Sequence, residues 1–191
     1  MTASFDPAVA ALRVGWIVGV PTDTVYGIAA DPFCEAAVEA LFVAKGRSAV
    51  KPIPILGADQ EQIMSIGMLD EEARAVVAVH WPGALTLVVP RADGLPDWVG
   101  DPAAGSVGVR VPDHPAALAL LAAAGPLAVT SANRSGEAAA GDHHAARASL
   151  GDAVDVYIEG SGGGDAASTV VDLTGPNPRI LRPGPLEWPG A

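Results

Sequence analysis

Short apolar runs alternate along the chain with alanine-rich segments of helical spacing, and this alternation constrains the fold more than any other feature. The apolar runs have the length and β-branched content of buried strands, whereas the segments between them have the period of helices packed on one side. No change of composition divides the 191 residues. The pattern therefore predicts one α/β domain over residues 1–191, with a twisted mixed sheet and flanking helices.

The expected elements follow from these runs and from their turn and cap residues. The predicted strands are Trp16–Val20, Pro52–Leu56, Leu85–Val89, Val107–Val111, Pro126–Thr130, Val154–Ile158, Ser168–Leu173 and Arg179–Leu181. The predicted helices are Glu35–Ala44, Asp59–Ser65, Glu71–His80 and His143–Leu150, with two others that start at Asp6 and at Pro115. Because Pro54 has no N–H for a strand ladder, we expect its strand near an edge of the sheet. The glycine-rich stretch after Gly160 predicts a flexible loop.

The charge of the chain disfavours nucleic-acid binding, and its lysines are confined to one short segment. The formal net charge is −11, whereas a protein that binds duplex nucleic acid normally carries excess positive charge. We therefore expect no extended nucleic-acid surface. The chain contains only two lysines, Lys45 and Lys51, and both lie beside Arg47.

Several absences narrow the chemistry further. Cys34 is the single cysteine, so neither an internal disulfide nor a cysteine metal site is available, and a lone cysteine usually packs as a small hydrophobe. His143 and His144 are adjacent, and helix neighbours point apart, so we expect no metal site there. The sequence shows no basic leader and no run near the roughly 20 apolar residues of a membrane span. These features predict a soluble, cytoplasmic protein without membrane contact.

Four polar clusters lie where predicted elements end: PTDTVYG (21–27), KGRSAVKP (45–52), VGVRVPDHP (107–115) and TSANRSG (130–136). Ligands of open α/β sheets gather at strand ends, so these clusters predict one binding cavity. The first cluster crowds hydroxyls into what is expected to be the joint between a strand and a helix. Such hydroxyls would match a small polar ligand, since an unmatched buried polar group costs about 1–3 kcal/mol.

The cations allow two interpretations each. Lys45 could be an ordinary helix C-terminal cation, or it could join Arg47 and Lys51 in a phosphate clamp. Arg110 lies among valines and either faces solvent or neutralises an anionic group of a ligand. Ser131 and Asn133 could satisfy a turn or contact a ligand. Arg182 carries the weakest signal, because arginines are common on protein surfaces.

Taken in order, the motifs resemble the YrdC-like family of L-threonylcarbamoyladenylate synthases, in its single-domain bacterial type. The matching stretches are PTDTVYG, KGR, KP, WPGALTLV, VRVPDHP, SAN followed by SG, STVVDL and LRPG, and they span about Gly15 to Gly184. The resemblance implies an α/β sheet around a deep, positively charged cavity. It also implies a nucleotidyltransferase that forms threonylcarbamoyl-AMP and pyrophosphate from L-threonine, bicarbonate and ATP. The product would pass to tRNA-modifying transferase proteins, for N6-threonylcarbamoyladenosine at tRNA position 37.

The resemblance also implies roles for individual residues. The expected L-threonine contacts are Thr22, Thr24, Arg110 and Ser168, and the expected ATP contacts are Lys45, Arg47, Lys51, Ser131, Asn133 and Arg182. Lys45 and Arg47 are the expected catalytic residues. Mg²⁺ is expected to arrive with ATP, without a dedicated protein site. Two positions depart from the two-domain relatives: Leu56 replaces a histidine that helps to hold threonine, and Ala139 replaces a serine.

Two other functions remain open from the sequence. One is an RNA-binding module that grips a nucleotide end in the cavity, although the chain lacks the interleaved aromatics of such modules. Because the cavity could hold a nucleotide end, a contact with double-stranded RNA or tRNA at the cavity also stays open. The other is an enzyme that uses carbamoyl phosphate and ATP to make a carbamoyl adenylate.

Overall fold

A computed structural model describes residues 6–46 and 52–188 of the chain. Nine strands form one mixed sheet in the order β7-β1-β2-β6-β3-β5-β4-β8-β9. The strands are β1 (Val18–Pro21), β2 (Tyr26–Ala30), β3 (Ile55–Leu56), β4 (Leu85–Pro90), β5 (Ser106–Arg110), β6 (Leu127–Ser131), β7 (Val156–Tyr157), β8 (Thr169–Asp172) and β9 (Arg179–Arg182). Parallel and antiparallel pairs both occur, as in the parallel β4–β8 pair and the antiparallel β4–β5 pair. The predicted α/β class and mixed sheet are thus confirmed.

Six helices flank the sheet in the described ranges: α1 (Asp6–Arg13), α2 (Glu35–Ala44), α3 (Gln60–Met64), α4 (Glu71–His80), α5 (Pro115–Ala124) and α6 (His143–Leu150). Aspartates begin three of them, because the side chains of Asp59, Asp70 and Asp142 accept hydrogen bonds from backbone N–H groups of the first turn. Pro115 follows the cap residue His114 at the start of α5. Across residues 6–46 and 52–188, no helix has the length and apolar character needed to cross a bilayer.

The sheet separates two apolar cores. Successive strand residues point to opposite faces, so one strand contributes to both cores. Ile28 of β2 packs in the larger core with helix α2, whereas its neighbour Ala29 packs in the smaller core with α1 and α5. Ile55 and Leu56 divide in the same way. Two-sided burial explains why these strands are apolar in near-continuous runs.

Two predictions about the sheet were wrong. The segment Tyr26–Ala30 is a strand, so the hydroxyl-rich stretch joins two antiparallel strands and does not lead from a strand into a helix. Strand β3 lies between β6 and β5 in the middle of the sheet, not near an edge. Pro54 is compatible with this position because it precedes the paired residues and contributes only its carbonyl, which accepts from Val129 N.

Candidate active site

One cavity of about 820 Å³ brings together every predicted site residue that the structure describes. Its walls include Thr22, Thr24, Lys45, Arg110, Ser131, Asn133, Ser168 and Arg182. Arg47 and Lys51 lie outside the described residues, but Gly46 and Pro52, which flank that segment, both line the cavity. The described lining carries three cations and no carboxylate. The cavity is therefore suited to an anionic ligand.

The threonine hydroxyls belong to the turn between β1 and β2. Thr22 Oγ1 donates to Val25 O at 2.7 Å and accepts from Thr24 N at 3.2 Å. The two hydroxyl oxygens lie 3.0 Å apart. Since Thr22 gives its single proton to Val25, Thr24 must be the donor in that pair. Both protons are thus used within the turn, and the hydroxyls stabilise it as well as lining the cavity.

The glycine-rich loop packs directly behind this turn. Gly163 N donates to Thr22 O at 2.8 Å, and Gly164 N donates to Thr24 O at 2.6 Å. A Cβ on Gly162 would lie 2.8 Å from Val25 C, and one on Gly163 would lie 2.9 Å from Asp23 O. Only glycine permits this approach. The sequence predicted a flexible loop here. The structure shows that its glycines allow the backbone to pack closely against the threonine turn.

Arg110 is held by three groups on the side of the cavity formed by the threonine turn. Its Nη2 pairs with Asp23 Oδ1 at 2.5 Å, its Nη1 donates to Thr24 Oγ1 at 3.1 Å, and its Nε donates to Gly83 O at 2.9 Å. The side chain is only 5% exposed, which excludes the solvent-facing alternative. Burial lowers the pKa of Arg110, and Asp23 opposes that change. Asp23 bonds Arg110 without being among the cavity-lining residues.

Arg182 and Ser168 form the adjoining wall. Arg182 Nε and Nη2 both donate to Ser168 O, at 3.0 and 2.8 Å, and Nη2 also lies 3.1 Å from Ser168 Oγ. Burial lowers the pKa of Arg182, and the nearby charge of Arg110 lowers it further. Ser168 Oγ lies 2.8 Å from Thr86 Oγ1, and Thr86 also lines the cavity. Sequence inspection did not single out Thr86, although it is the one hydroxyl in an apolar strand.

Lys45 also lines the cavity, and it contacts the end of β6 and the loop that follows. Its Nζ donates to Ser131 O at 2.5 Å, Asn133 O at 2.9 Å and Asn133 Oδ1 at 3.2 Å. The Asn133 amide nitrogen in turn donates to Arg134 O and Glu137 O. The side chain of Lys45 is buried, and its C-cap position explains why the sequence allowed a helix-end role. In this structure Lys45 secures the Ser131–Asn133 loop.

Both departures from the two-domain pattern have a clear location. Leu56 lines the cavity and gives it an apolar surface there. Ala139 is exposed and lies outside the cavity lining. The rings of His143 and His144 contact each other, with centroids 3.9 Å apart and planes tilted by 36°, so the expectation that these neighbours point apart was wrong. In the described residues, no group of three or more His, Cys, Asp or Glu side chains is placed to hold a metal ion.

The family model of Sua5, YciO and YrdC proteins, described as telomere recombination, matches residues 10–184. The chain belongs to the Sua5/YciO/YrdC family. A protein of Mycobacterium tuberculosis is 47% identical over 181 residues, which cover 94% of this chain and 83% of the relative. The threonylcarbamoyl-AMP synthase of Pyrococcus abyssi is 39% identical over 181 residues, covering 92% of this chain and 53% of that enzyme.

A solved structure of this family contains a bound ligand. The crystal structure of Pyrococcus abyssi Sua5 in complex with L-threonine superimposes with a TM-score of 0.86 at 36% sequence identity. The match covers 93% of this chain and 53% of Sua5. The family indicated by the sequence motifs and the α/β fold with a mixed sheet are thus confirmed.

Proposed function

We propose that this chain is an L-threonylcarbamoyladenylate synthase, which forms threonylcarbamoyl-AMP and pyrophosphate from L-threonine, bicarbonate and ATP. The observation that carries the proposal is the cavity of about 820 Å³, in which arginines and hydroxyls meet without any carboxylate in the described lining. Its volume of about 820 Å³ accommodates a nucleotide beside a small amino acid, since ligand pockets occupy about 300–1,000 Å³. Membership of a family with named threonylcarbamoyl-AMP synthases supports the same conclusion.

The reaction requires positioning more than covalent help from the protein. The threonine amine takes up CO2 derived from bicarbonate and gives a carbamate. A carbamate oxygen then attacks the α-phosphorus of ATP and releases pyrophosphate. Both steps join bound reactants, so alignment and stabilisation of phosphate charge supply the catalysis. The described site residues meet these needs without a protein nucleophile.

We assign the threonine carboxylate to the wall formed by Arg110 and Ser168. Arg110 is buried and correctly oriented by Asp23 and Thr24, so binding requires little reorganisation of its guanidinium. The threonine turn, with Thr22 and Thr24, then borders the amino acid. We propose that its methyl group and hydroxyl lie in this part of the cavity, where Val25 adds apolar surface.

We assign ATP to the part of the cavity lined by Ser131 and Asn133, which Lys45 holds in place. Arg182 extends the cationic surface toward the phosphates. Arg47 and Lys51 remain predicted phosphate ligands and fall between two residues of the cavity wall, Gly46 and Pro52. We propose that Mg²⁺ binds through the triphosphate of ATP, without a dedicated protein site. We further propose that the product is used in the cytoplasm by tRNA-modifying transferase proteins.

The test measures AMP and pyrophosphate formation from ATP with each component omitted in turn. We expect product only when L-threonine, bicarbonate, ATP and Mg²⁺ are all present. Activity with carbamoyl phosphate in place of threonine and bicarbonate would instead identify a carbamoyl-adenylate enzyme. Tight RNA binding without any pyrophosphate release would identify an RNA-binding module.

A further inference from the structure

We infer that Thr86 is a positioning residue, which orients the Ser168 hydroxyl as a hydrogen-bond donor to the carboxylate of bound L-threonine. The inference rests on the proposed function, because it states which group donates the hydrogen bond between Ser168 and the bound threonine. It concerns a polar residue that lines the cavity on a strand whose neighbouring residues pack in the apolar core.

The position of Thr86 in strand β4 is unusual for a polar side chain. Its neighbours Leu85 and Leu87 are both fully buried in the larger core. Strand alternation turns Thr86 to the other face, where it lines the cavity. Valine has nearly the same shape and would suit this strand equally well. The hydroxyl is therefore the feature that needs explanation.

The surrounding donors and acceptors determine which hydroxyl, that of Thr86 or that of Ser168, donates in the bond between them. A guanidinium only donates, so Ser168 Oγ must accept from Arg182 Nη2 at 3.1 Å. Thr86 Oγ1 lies 2.8 Å from Ser168 Oγ, and in the described part of the chain this is its one hydrogen-bond partner. Thr86 is 3% exposed, and a buried hydroxyl proton without an acceptor is costly. The satisfied arrangement has Thr86 donating to Ser168.

With Arg182 and Thr86 both donating, the two lone pairs of Ser168 Oγ are occupied. The Ser168 proton is then free to point into the cavity. Such a donor suits an anionic oxygen, and the threonine carboxylate already assigned to Arg110 is the nearest anionic group of the substrate in the proposed arrangement. With valine at position 86, Ser168 Oγ would no longer accept a hydrogen bond from Thr86. The Ser168 hydroxyl could then rotate and point its proton away from the ligand.

The experiment compares Thr86→Val and Thr86→Ser with the wild type. We expect Thr86→Val to raise the Kd and KM for L-threonine about tenfold, because a hydrogen bond to a charged group is weakened, and to change the KM for ATP less than about twofold. Thr86→Ser keeps the donor and should stay within about threefold of the wild type for both substrates. Thr174→Val is the matched control, because it removes an exposed hydroxyl that bonds Asp172 away from the cavity.

A double-mutant cycle with Ser168→Ala separates positioning from general loosening of the fold. If Thr86 acts through Ser168, the double variant should bind threonine no more weakly than Ser168→Ala alone. Additive losses, equal losses for ATP and threonine, or unchanged threonine binding in Thr86→Val would each overturn the assignment. Should Thr86→Val not fold, Thr86→Ala in the same cycle provides the comparison. A wild-type protein that needs no threonine would overturn the proposed function itself, which distinguishes the two failures.

Discussion

The two faces of the sheet near β3 and β6 carry cavities of opposite charge. Leu56 and Val129 line the main cavity of about 820 Å³, whereas their neighbours Ile55 and Ala128 line a cleft of about 400 Å³, here called the acidic cleft. In the described lining, the main cavity has cations and no carboxylates, and the acidic cleft has carboxylates and no cations. The carboxylates of the cleft belong to Glu35, Glu39, Asp97 and Asp101.

This difference shows why the net charge of −11 does not describe the site. Most acidic residues are exposed or lie at helix starts, while Arg110 and Lys45 are buried and held by hydrogen bonds. Arg110 shares its charge with Asp23 but keeps N–H groups for a ligand, and charges at a buried site act in a medium of low effective dielectric, where they are poorly screened. The few cations can therefore determine ligand class although carboxylates outnumber them.

The largest expected effect is at the main cavity, in Arg110→Met. We expect kcat/KM for L-threonine to fall at least about 30-fold, since truncating one partner of a buried charge pair typically costs 2–5 kcal/mol. Stability should fall as well, because Asp23 is left without its partner. The measurement pairs steady-state kinetics with thermal unfolding.

A second variant separates these two effects. Asp23→Asn combined with Arg110→Met removes both charges, so it should recover much of the stability and none of the activity. Recovery of threonine turnover in this double variant would show that Arg110 serves only to neutralise Asp23.

The next effect tests the segment 45–52, whose described residues Lys45, Gly46 and Pro52 line the main cavity, in the variant Arg47→Lys. Lys45 and Lys51 already supply point charges, and arginine adds a planar fork that holds two phosphate oxygens. We expect kcat/KM for ATP to fall roughly 10- to 150-fold at unchanged thermal stability, from the loss of one charged hydrogen bond. Arg13→Lys, at the last turn of α1, is the matched control. Wild-type activity in Arg47→Lys would indicate an ordinary helix-end cation.

A smaller effect is expected for Lys45→Met, which keeps most of the unbranched side chain but removes the ammonium. The carbonyls of Ser131 and Asn133 lose their shared donor, which should cost about 1–3 kcal/mol and lower Tm by a few degrees. The KM for ATP should rise because the loop that carries both residues loosens. A fall in kcat alone, at unchanged Tm, would contradict this role and favour direct contact of Lys45 with the phosphates.

The smallest effect is expected on the other face of the sheet, in the acidic cleft. Glu39→Gln combined with Asp97→Asn should change kcat/KM for either substrate by less than about twofold, because both side chains are exposed and surface charges act weakly at a distance. Steady-state kinetics at low and moderate salt provide the check. A large loss would mean that the two faces are coupled, and the contrast between the cavities would no longer hold.

Much of the fold could be predicted because local patterns agree with it. The helices Glu35–Ala44, Glu71–His80 and His143–Leu150 occur with the predicted bounds. Strand β2 was missed because Tyr26–Ala30 is short, contains glycine and follows polar turn residues, so it shows no alternation. The central position of β3 was missed because Pro54 by itself indicates a strand near an edge of the sheet. Pro54 only keeps itself out of the paired residues, and the neighbouring strands β6 and β5 determine where β3 lies in the sheet.

By itself, the sequence determined the strand and helix segments, the order of the polar clusters and the residues available for chemistry, because these follow from local periodicity and side-chain type. Only the tertiary structure decided how those residues are used. Arg110 meets Asp23 and Thr24 across 87 and 86 positions of the chain, and Lys45 meets Asn133 across 88. These contacts form because the fold brings β1, β5 and β6 together around one cavity. Their partners are set by packing over long sequence separations, which no local pattern encodes.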